Sequence, residues 1–279
     1  MTPAPEIDDL QPAAAEALFT ERVRTLVAER CGFAPRPAAS PQLAAALGRR
    51  RRGRSQEDYW EALRAADAAN SELQLLVEDL LNHDTVCGRI PPHFEMLGRQ
   101  VLPTLAQLDR PLRLASLGCA TGEEAITLAI TAAETFGLHG APAVEIVGLD
   151  LSSRALGVAR VGRYRLSCLR ELSPAQRELG FIRQTDGFHV RPEIARRVRF
   201  LQHNLMQPLP LVGLDAVFCR NVLIYFNPDS ARQVLRHIWD ALAPGGWLFL
   251  GPSESALHLR EWFEPVPFAE TMVYRRRQP

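Results

Sequence analysis

The stretch LASLGCATGEEAITLAI, Leu114–Ile130, places an apolar run, a turn with two glycines and a helical pattern directly after one another. This order is typical of the first strand, loop and helix of a parallel α/β sheet, in which ligands bind at the carboxyl ends of the strands. Gly118 and Gly122 allow the backbone to approach a ligand closely, although tight packing alone can also require glycine. We therefore expect a binding loop between Leu117 and Ala125.

The chemistry of this loop differs from that of the common phosphate-binding loops. Gly118 and Gly122 are four residues apart, so the loop is not a G-x-G-x-x-G turn, and it lacks the lysine of a P-loop. Glu123 and Glu124 stand at the start of the helix, where two carboxylates would repel a pyrophosphate. The loop is therefore better suited to a cationic or zwitterionic ligand.

Short apolar runs alternate with helical patterns after the first strand. The strand candidates are residues 113–118, 144–150, 198–202, 215–219 and 247–251, and residues 270–277 are a candidate for a final antiparallel strand. This alternation predicts a parallel sheet with helices on both faces. One connection, residues 162–197, is unusually long, and its turn at Asp186-Gly187 between two β-like runs predicts a small inserted β-subdomain.

Upstream of the sheet, residues 16–108 carry apolar side chains at helical spacing. We therefore expect a helical domain with its linker over residues 1–108 and an α/β domain over residues 109–279, with the insertion at about residues 162–197. Ser55 with Asp58 three residues later resembles a capping box and predicts the start of one helix.

The composition narrows the class of protein. Basic and acidic residues both number 32, so the net charge is zero and gives no general attraction to nucleic acid. The chain has no apolar run long enough for a membrane span and no secretory signal pattern, which favours a cytoplasmic protein without membrane insertion. The five cysteines and seven histidines have no metal-binding spacing, so free thiols and no metal site are expected.

The one strong charge run is GRRRRGR, Gly48–Arg54, and every basic residue in it is an arginine. A solvated surface and docking on an acidic protein are both open interpretations. A nucleic-acid contact is less favoured, because the run has no interleaved aromatic residues.

Polar residues at the ends of the predicted strands suggest a nucleotide-like ligand. Asp150 ends the second strand, where an acidic residue commonly holds ribose hydroxyls, although it could also cap the next helix. Asn204 follows the third strand and could bind an adenine edge. Arg220 and Asn221 interrupt an apolar stretch where the fourth strand leaves the core. A carboxylate-lined pocket without a phosphate cradle fits S-adenosylmethionine, whose sulfonium and amino groups are positive.

Several blocks of the sequence resemble one known family. LASLGCATGEEAITLAI, IVGLDLSSRALGVARVGRY, VRFLQHNL, DAVFCRNVLIYFNPDSARQVL and LAPGGWLFLGPSESAL are similar to successive signature blocks of CheR-type chemotaxis protein methyltransferases. The resemblance covers nearly the whole chain. It implies an α/β, Rossmann-like S-adenosylmethionine methyltransferase domain with an N-terminal helical domain and a small inserted β-subdomain. It also implies methyl transfer from S-adenosylmethionine to glutamate carboxylates of chemoreceptors or a related signalling protein, with S-adenosylhomocysteine as the product.

The resemblance implies a set of site residues. The expected cofactor-binding residues are His83, Thr85, Arg89, Gly118, Glu124, Asp150, Asn204, Leu205, Arg220 and Asn221. The block NHDTVCGRIPPHF departs from the family pattern, because Cys87 and Gly88 stand where the family has two phenylalanines. His83 stands where an asparagine is common, unless Asn82 substitutes for it through a shift.

A glutamate carboxylate is already ionised at neutral pH, so its methylation needs no general base. Arg89 and Tyr225 are the candidates for catalytic alignment of the acceptor, and the alternative for Arg89 is that it organises the cofactor. In the family a basic helix of the N-terminal domain approaches the receptor's methylation region. The docking candidates for an acidic helical partner are therefore Arg49, Arg50, Arg51, Arg52 and Arg54, on a protein expected to be a monomer.

Two other functions are compatible with a cofactor-binding fold. A regulatory module that binds S-adenosylmethionine without methyl transfer is supported by the altered TVCGR block, Thr85–Arg89. A nucleic-acid methyltransferase is disfavoured, because the chain has no Asn-Pro-Pro-Tyr or catalytic-cysteine motif.

Overall fold

The structure is a computed structural model, and it describes residues 12–33, 40–65, 72–108, 110–254 and 261–277. These residues form two compact units. The smaller unit combines the described residues up to Asn82 with Tyr225–Ser230, and the larger unit comprises His83–Ile224 and the described residues from Ala231 onward. None of the described helices is both long and apolar enough to cross a membrane.

The smaller unit is helical. Its helices are α1 (Pro12–Cys31), α2 (Ser40–Arg51), α3 (Gln56–Arg64) and α4 (Glu72–Leu80). Their fully buried side chains include Val23, Leu47, Tyr59 and Leu76. Ser55 accepts a hydrogen bond from the Asp58 N–H, which confirms the predicted start of α3.

Two of the predicted docking arginines are used inside the smaller unit. Arg50 lies 2.7 Å from a Glu72 carboxylate oxygen and 3.1 Å from one of Asp79. Arg51 lies 2.8 Å from Glu16. Docking of a partner on the five arginines stays a prediction, but the packing of α2 against α4 directs one of them, Arg50, to carboxylates of its own chain.

The larger unit is an α/β assembly. Its elements in chain order are α5 (Pro91–Met96), a π-helix (Leu97–Val101), α6 (Leu102–Leu105), a 3₁₀ turn (Ala106–Leu108), β1 (Leu112–Leu117), α7 (Glu123–Phe136), β2 (Val144–Asp150), α8 (Ser153–Val161), β3 (Arg163–Tyr164), a 3₁₀ turn (Leu166–Leu169), α9 (Pro174–Gly180), β4 (Phe181–Gln184), β5 (Gly187–Val190), α10 (Pro192–Ala195), β6 (Val198–Gln202), β7 (Leu214–Cys219), a 3₁₀ turn (Leu223–Tyr225), α11 (Pro228–Ala241), β8 (Leu242–Leu250), β9 (Phe263–Phe268) and β10 (Thr271–Arg276). The last 3₁₀ turn and α11 extend into the smaller unit.

The boundary between the two units differs from the predicted domain boundary at residue 108. It falls between Asn82 and His83, because α5, the π-helix and α6 pack against α7, and α5 also packs against β10. Helical spacing showed that these segments are helices, but it did not show which core they join.

The main sheet has the strand order β6-β2-β1-β7-β8-β10-β9. The first five of these strands are parallel, and β10 is antiparallel to both β8 and β9. This confirms the predicted parallel sheet and its final antiparallel strand, while β9 was not predicted. The chain moves from β1 to β2 and β6 on one side, and then crosses to β7 on the other. The carboxyl ends of β1 and β7 therefore mark the switch point where such sheets bind ligands.

The insertion forms a separate antiparallel sheet with the order β3-β5-β4. The hairpin predicted around Asp186 is present, with Gln184 paired to Gly187 and Phe181 paired to Val190. The short strand β3, which pairs with β5, was not visible in the sequence because it has only two residues.

Aromatic side chains pack beside the switch point. The Phe218 ring on β7 lies 4.1 Å from the Phe249 ring on β8 and 5.5 Å from the Phe94 ring on α5, measured between centroids. All three side chains are buried. This stack gives the carboxyl end of β7 a rigid apolar support.

Candidate active site

The glycine loop after β1 is shaped by close packing. Gly118 and Gly122 have φ angles of 65° and 94°. A Cβ at Gly118 would lie 2.5 Å from Val222, and one at Gly122 would lie 2.8 Å from Ala159. Both positions therefore require glycine for backbone conformation and for space, which supports the packing interpretation of these residues.

Asp150 joins this loop to the end of β2. Its carboxylate accepts hydrogen bonds from the backbone N–H groups of Ala120 and Ser152, each at 2.8 Å. Ser152, not Asp150, caps α8 by accepting from Ala155. Burial raises the pKa of Asp150, and the two N–H bonds partly offset that rise. Each carboxylate oxygen keeps a further lone pair, so Asp150 can still accept from a pair of hydroxyls.

Glu124 is paired within the protein. Arg220 Nε donates to Glu124 Oε2 at 2.6 Å, and the two side chains are 2% and 11% exposed respectively. The Ser116 hydroxyl donates to the other carboxylate oxygen at 2.7 Å. The negative charge of Glu124 is therefore balanced by Arg220. The sequence pattern instead predicted that this carboxylate would face a cationic or zwitterionic ligand.

Arg220 also holds the segment that carries Arg89. Its Nη1 donates to the backbone carbonyl oxygen of Arg89. The guanidinium lies over the rings of Phe94 and Phe218, at 4.9 and 5.5 Å from their centroids. Arg220, the residue directly after β7, thus links the switch point to the segment His83–Ile90, which we call the TVCGR loop.

His93 lies beside this arginine in a neutral form. Burial, together with the positive charge of Arg220, lowers the pKa of His93 to about 3. Its Nδ1 is 3.5 Å from Arg220 Nη1, and its Nε2 is 2.6 Å from the Thr271 hydroxyl. Because arginine can only donate, Nδ1 is the acceptor and Nε2 carries the proton that is donated to Thr271.

Glu254 is a site residue that sequence reasoning missed. Its buried carboxylate accepts four backbone N–H groups, at 2.6 to 2.8 Å, from Gly251, Asn221, Val222 and Leu223. These bonds fold the turn after β7 against the end of β8 and hold Asn221 at a φ of 60°. The only sequence signal was an acidic residue shortly after a strand, within the block GPSES.

In the TVCGR loop, Cys87 and Gly88 stand where the family has two phenylalanines, and each fits its surroundings. Cys87 is fully buried in the apolar core. Gly88 has a φ of 77° and donates its N–H to the Thr127 hydroxyl at 3.0 Å. Ile90 has a φ of 60°, which is strained for a β-branched residue. Such strain is often found at functional sites, where the surrounding structure holds it in place.

Comparison with known proteins identifies the family. The family model described as CheR methyltransferase, SAM binding domain, matches residues 83–272. The chain belongs to the CheR methyltransferase family. Its first matched residue is also the first residue of the larger unit. The resemblance noted in the sequence is confirmed, as are methyltransferase activity and S-adenosylmethionine as the cofactor.

Relatives of this CheR methyltransferase span most of the chain. It is 35% identical over 212 residues to a chemotaxis protein methyltransferase of Vibrio anguillarum, covering 74% of this chain and 77% of that protein. It is 30% identical over 266 residues to the probable biofilm formation methyltransferase WspC of Pseudomonas aeruginosa, covering 92% of this chain and 62% of that protein. Among solved structures, a magnesium protoporphyrin IX methyltransferase from Synechocystis aligns with a TM-score of 0.37 and 15% identity over 84% of this chain and 96% of that one, too weak a likeness to add to the assignment.

The site of this CheR methyltransferase fits the cofactor on structural grounds. His83 Nε2 and Asn221 Oδ1 are buried side-chain atoms without a hydrogen-bond partner in the part of the chain that the structure describes. An electrostatic influence of His83 opposes the rise that burial causes in the pKa of Asp150, so these two side chains are near one another. Unsatisfied buried polar atoms are rare and costly, and a bound ligand with donors and acceptors would satisfy them.

The other residues predicted for the site differ in burial and in their hydrogen-bond partners. Asn204 Oδ1 accepts from the Met206 N–H at 3.0 Å, and the side chain of Leu205 is buried. Thr85 and Arg89 are half-buried and line one cavity. Tyr225 belongs to the smaller unit, where its ring lies 6.0 Å from that of Phe33. The roles assigned to these residues in binding and catalysis stay predictions.

Proposed function

We propose that this methyltransferase transfers the methyl group to glutamate side-chain carboxylates of a chemoreceptor or a related signalling protein. Relatives named chemotaxis protein methyltransferases support this acceptor class. Bound S-adenosylmethionine supplies an electrophilic methyl group, and an ionised carboxylate needs no general base to attack it. His93, the histidine next to Arg220, is buried, neutral and bonded to Thr271, so it is not available as a base.

The observation that carries the proposal is a cavity of about 600 Å³ beside Arg89. We call it the acceptor cavity. It lies between the TVCGR loop and the start of the insertion, and its lining residues are Asp84, Thr85, Val86, Arg89, Ile90, Ser167, Cys168, Arg170 and Glu171. Arg89 and the hydroxyls of Thr85 and Ser167 can donate hydrogen bonds to an acceptor carboxylate. Arg170 pairs with Glu171 at 3.3 Å, and Asp84 is a second carboxylate in the lining, so Arg89 is the guanidinium that we assign to the acceptor.

The position of Arg89 suits alignment of an acceptor. Its backbone carbonyl is held by Arg220, and its Nη1 donates to the Asp84 carbonyl at 3.3 Å. The other N–H groups of the guanidinium can reach a ligand. A single hydrogen bond from Arg89 would orient the acceptor carboxylate, whereas a tight bidentate pair would reduce its reactivity.

The docking surface that we propose is smaller than the whole arginine run. Arg49 and Arg52 are exposed, and Arg54 lies 3.8 Å from Glu72 at the edge of the ion-pair network. Arg50 and Arg51 are paired with carboxylates of the smaller unit. We therefore assign attraction of an acidic helical partner to Arg49, Arg52 and Arg54, whose charges steer association more than they add affinity.

The test is transfer of label from S-adenosylmethionine to glutamate-rich receptor fragments. We expect a carboxylate ester that releases methanol in alkali, whereas methylated nitrogen would survive. Arg89→Ala should lower turnover by about 10²-fold through loss of alignment, with cofactor affinity changed by less than about threefold. Arg99→Ala, an exposed arginine outside the acceptor cavity, is the matched control and should retain turnover.

Two outcomes would contradict this assignment. If cofactor affinity in Arg89→Ala falls as steeply as turnover, Arg89 binds the cofactor and does not align the acceptor. If the unmodified protein binds the cofactor but labels no acidic protein, the protein is a regulatory module without methyl transfer.

A further inference from the structure

Two cysteines meet at the wall of the acceptor cavity. The backbone N–H of Cys87 donates to the carbonyl oxygen of Cys168 at 2.9 Å. Cys168 is half-buried and lines the cavity, while Cys87 is fully buried in the core behind it. Both are free thiols. Cys87 is also one of the two departures from the family pattern.

The backbone contact sets the distance between the two residues. With standard bond lengths, a 2.9 Å N–H to carbonyl bond keeps the two Cα atoms no more than about 6.8 Å apart. Disulfides span Cα separations of about 4.4 to 6.8 Å, so this pair lies within reach of a bond without large backbone movement. Burial, and after it the charge of Glu123, raises the pKa of Cys87, and Cys168 is the more exposed of the two residues, so an oxidant would react first at Cys168.

We propose that Cys87 and Cys168 form a modification site that hydrogen peroxide converts to a disulfide. The Cys168 thiolate attacks one peroxide oxygen, the O–O bond breaks, and hydroxide leaves, giving a sulfenic acid. The Cys87 sulfur then attacks the Cys168 sulfur, and the sulfenic oxygen leaves as water with the Cys87 proton. Two thiols and one peroxide thus yield one disulfide and two waters, and each sulfur loses one electron.

The bond would join two walls of the acceptor cavity. Cys87 belongs to the TVCGR loop and Cys168 to the 3₁₀ turn at the start of the insertion. With these segments tied together, the cavity could not widen to admit an acceptor side chain. This effect on methyl transfer rests on the proposed function, but formation of the bond does not.

The first measurement does not use activity. The full chain is treated with hydrogen peroxide, alkylated, and digested with trypsin without reduction. We expect a disulfide between the peptides of residues 65–89 and 166–170, reversed by dithiothreitol. Closing a loop of about 80 residues should also raise the thermal midpoint by roughly 5 to 10 °C. Cys87→Ala and Cys168→Ala should each lose the linked peptide and the shift. Cys31→Ala, which removes a buried thiol of the smaller unit, should retain both.

The second measurement concerns the consequence of the bond. Oxidation should lower methyl transfer at least about fivefold, with cofactor affinity within about twofold by calorimetry. If the reduced protein transfers no methyl group, the proposed function fails while the linked peptide and thermal shift still test the disulfide. Sulfinic acid at Cys168 without a linked peptide would overturn the proposed pair. A linked peptide with unchanged turnover would overturn the claim that the disulfide keeps the acceptor side chain out of the cavity.

Discussion

Arg220 in the larger unit and Arg52 in the smaller unit differ in burial and in how their charges are balanced. In the larger unit, the Arg220 side chain is 2% exposed and bonded to Glu124, to the Arg89 carbonyl and, at longer range, to His93. In the smaller unit, Arg52 is exposed at the end of a basic run. A buried charge must be paired to offset its lost hydration, whereas an exposed charge is screened by solvent. Burial therefore decides whether an arginine must be paired within the protein or can remain in solvent.

Arg50 lies between these extremes within the same basic run. Its side chain is 16% exposed and contacts Glu72 and Asp79, which are exposed to a similar extent. Burial alone would lower the pKa of Arg50, but its hydrogen bonds to the two carboxylates outweigh burial and raise it. Tyr59 donates to the same Glu72 carboxylate, so Arg50 is part of the interior of the smaller unit.

The largest expected effect on stability comes from breaking the buried ion pair of Arg220 and Glu124. Arg220→Met should lower the free energy of unfolding by about 3–5 kcal/mol, because Glu124 is left buried without its partner. Adding Glu124→Leu should recover most of that loss, since two apolar side chains can replace a buried ion pair. Urea denaturation of both single variants and the double variant measures the coupling. Additive losses in this cycle would show that the pair is not coupled and would break the comparison.

A somewhat smaller effect concerns the histidine beside Arg220. The pKa of His93 is about 3 in the folded protein, whereas an unfolded histidine titrates near ~6.5. The unfolded chain therefore binds the proton first, so stability is complete above the unfolded pKa and falls as pH drops toward 3. From pH 7 to 4 the contribution is roughly 2–3 kcal/mol.

His93→Gln keeps a donor for Thr271 and removes this titration. Its free energy of unfolding should fall less steeply between pH 7 and 4 than that of the unmodified protein. His139→Gln, at an exposed histidine, is the matched control and should keep the original slope. Equal slopes for all three proteins in urea denaturation would mean that His93 is not held neutral by its surroundings.

The smallest expected effects on stability distinguish Arg50 from Arg52 in the basic run. Arg50→Gln should cost about 1–2 kcal/mol, because two carboxylates lose a partly buried donor. Arg52→Gln should change the free energy of unfolding by less than about 0.5 kcal/mol, since it removes only an exposed charge. Arg52→Gln should instead slow association with an acidic partner at low salt. The comparison would fail if both substitutions destabilised the protein equally.

Local features of the sequence determined much of the fold and part of the site. Alternation of apolar and helical patterns predicted the parallel strands, and a turn signal predicted the hairpin around Asp186. Ser55 predicted the start of α3, because a capping box involves only residues within one turn of the helix. The place of Asp150 at the end of a strand predicted its position beside the glycine loop, since the ends of parallel strands converge on one edge of a sheet, and its role in ribose binding stays a prediction. The family resemblance added the cofactor and the methyltransferase activity.

Only the tertiary structure decided how the charges are paired. Glu124 and Arg220 are 96 residues apart in the chain, and Glu254 reaches back to the turn at Asn221 through bonds between residues 31 to 33 apart. Spacing rules describe neighbours on one helix or strand, so they cannot show which distant carboxylate a buried arginine will meet. The same limit hid the pairing of Arg50 with Asp79 and the packing of α5 on the larger unit. A buried charge is stable only beside its partner, and that partner is brought to it by the packing of the whole domain.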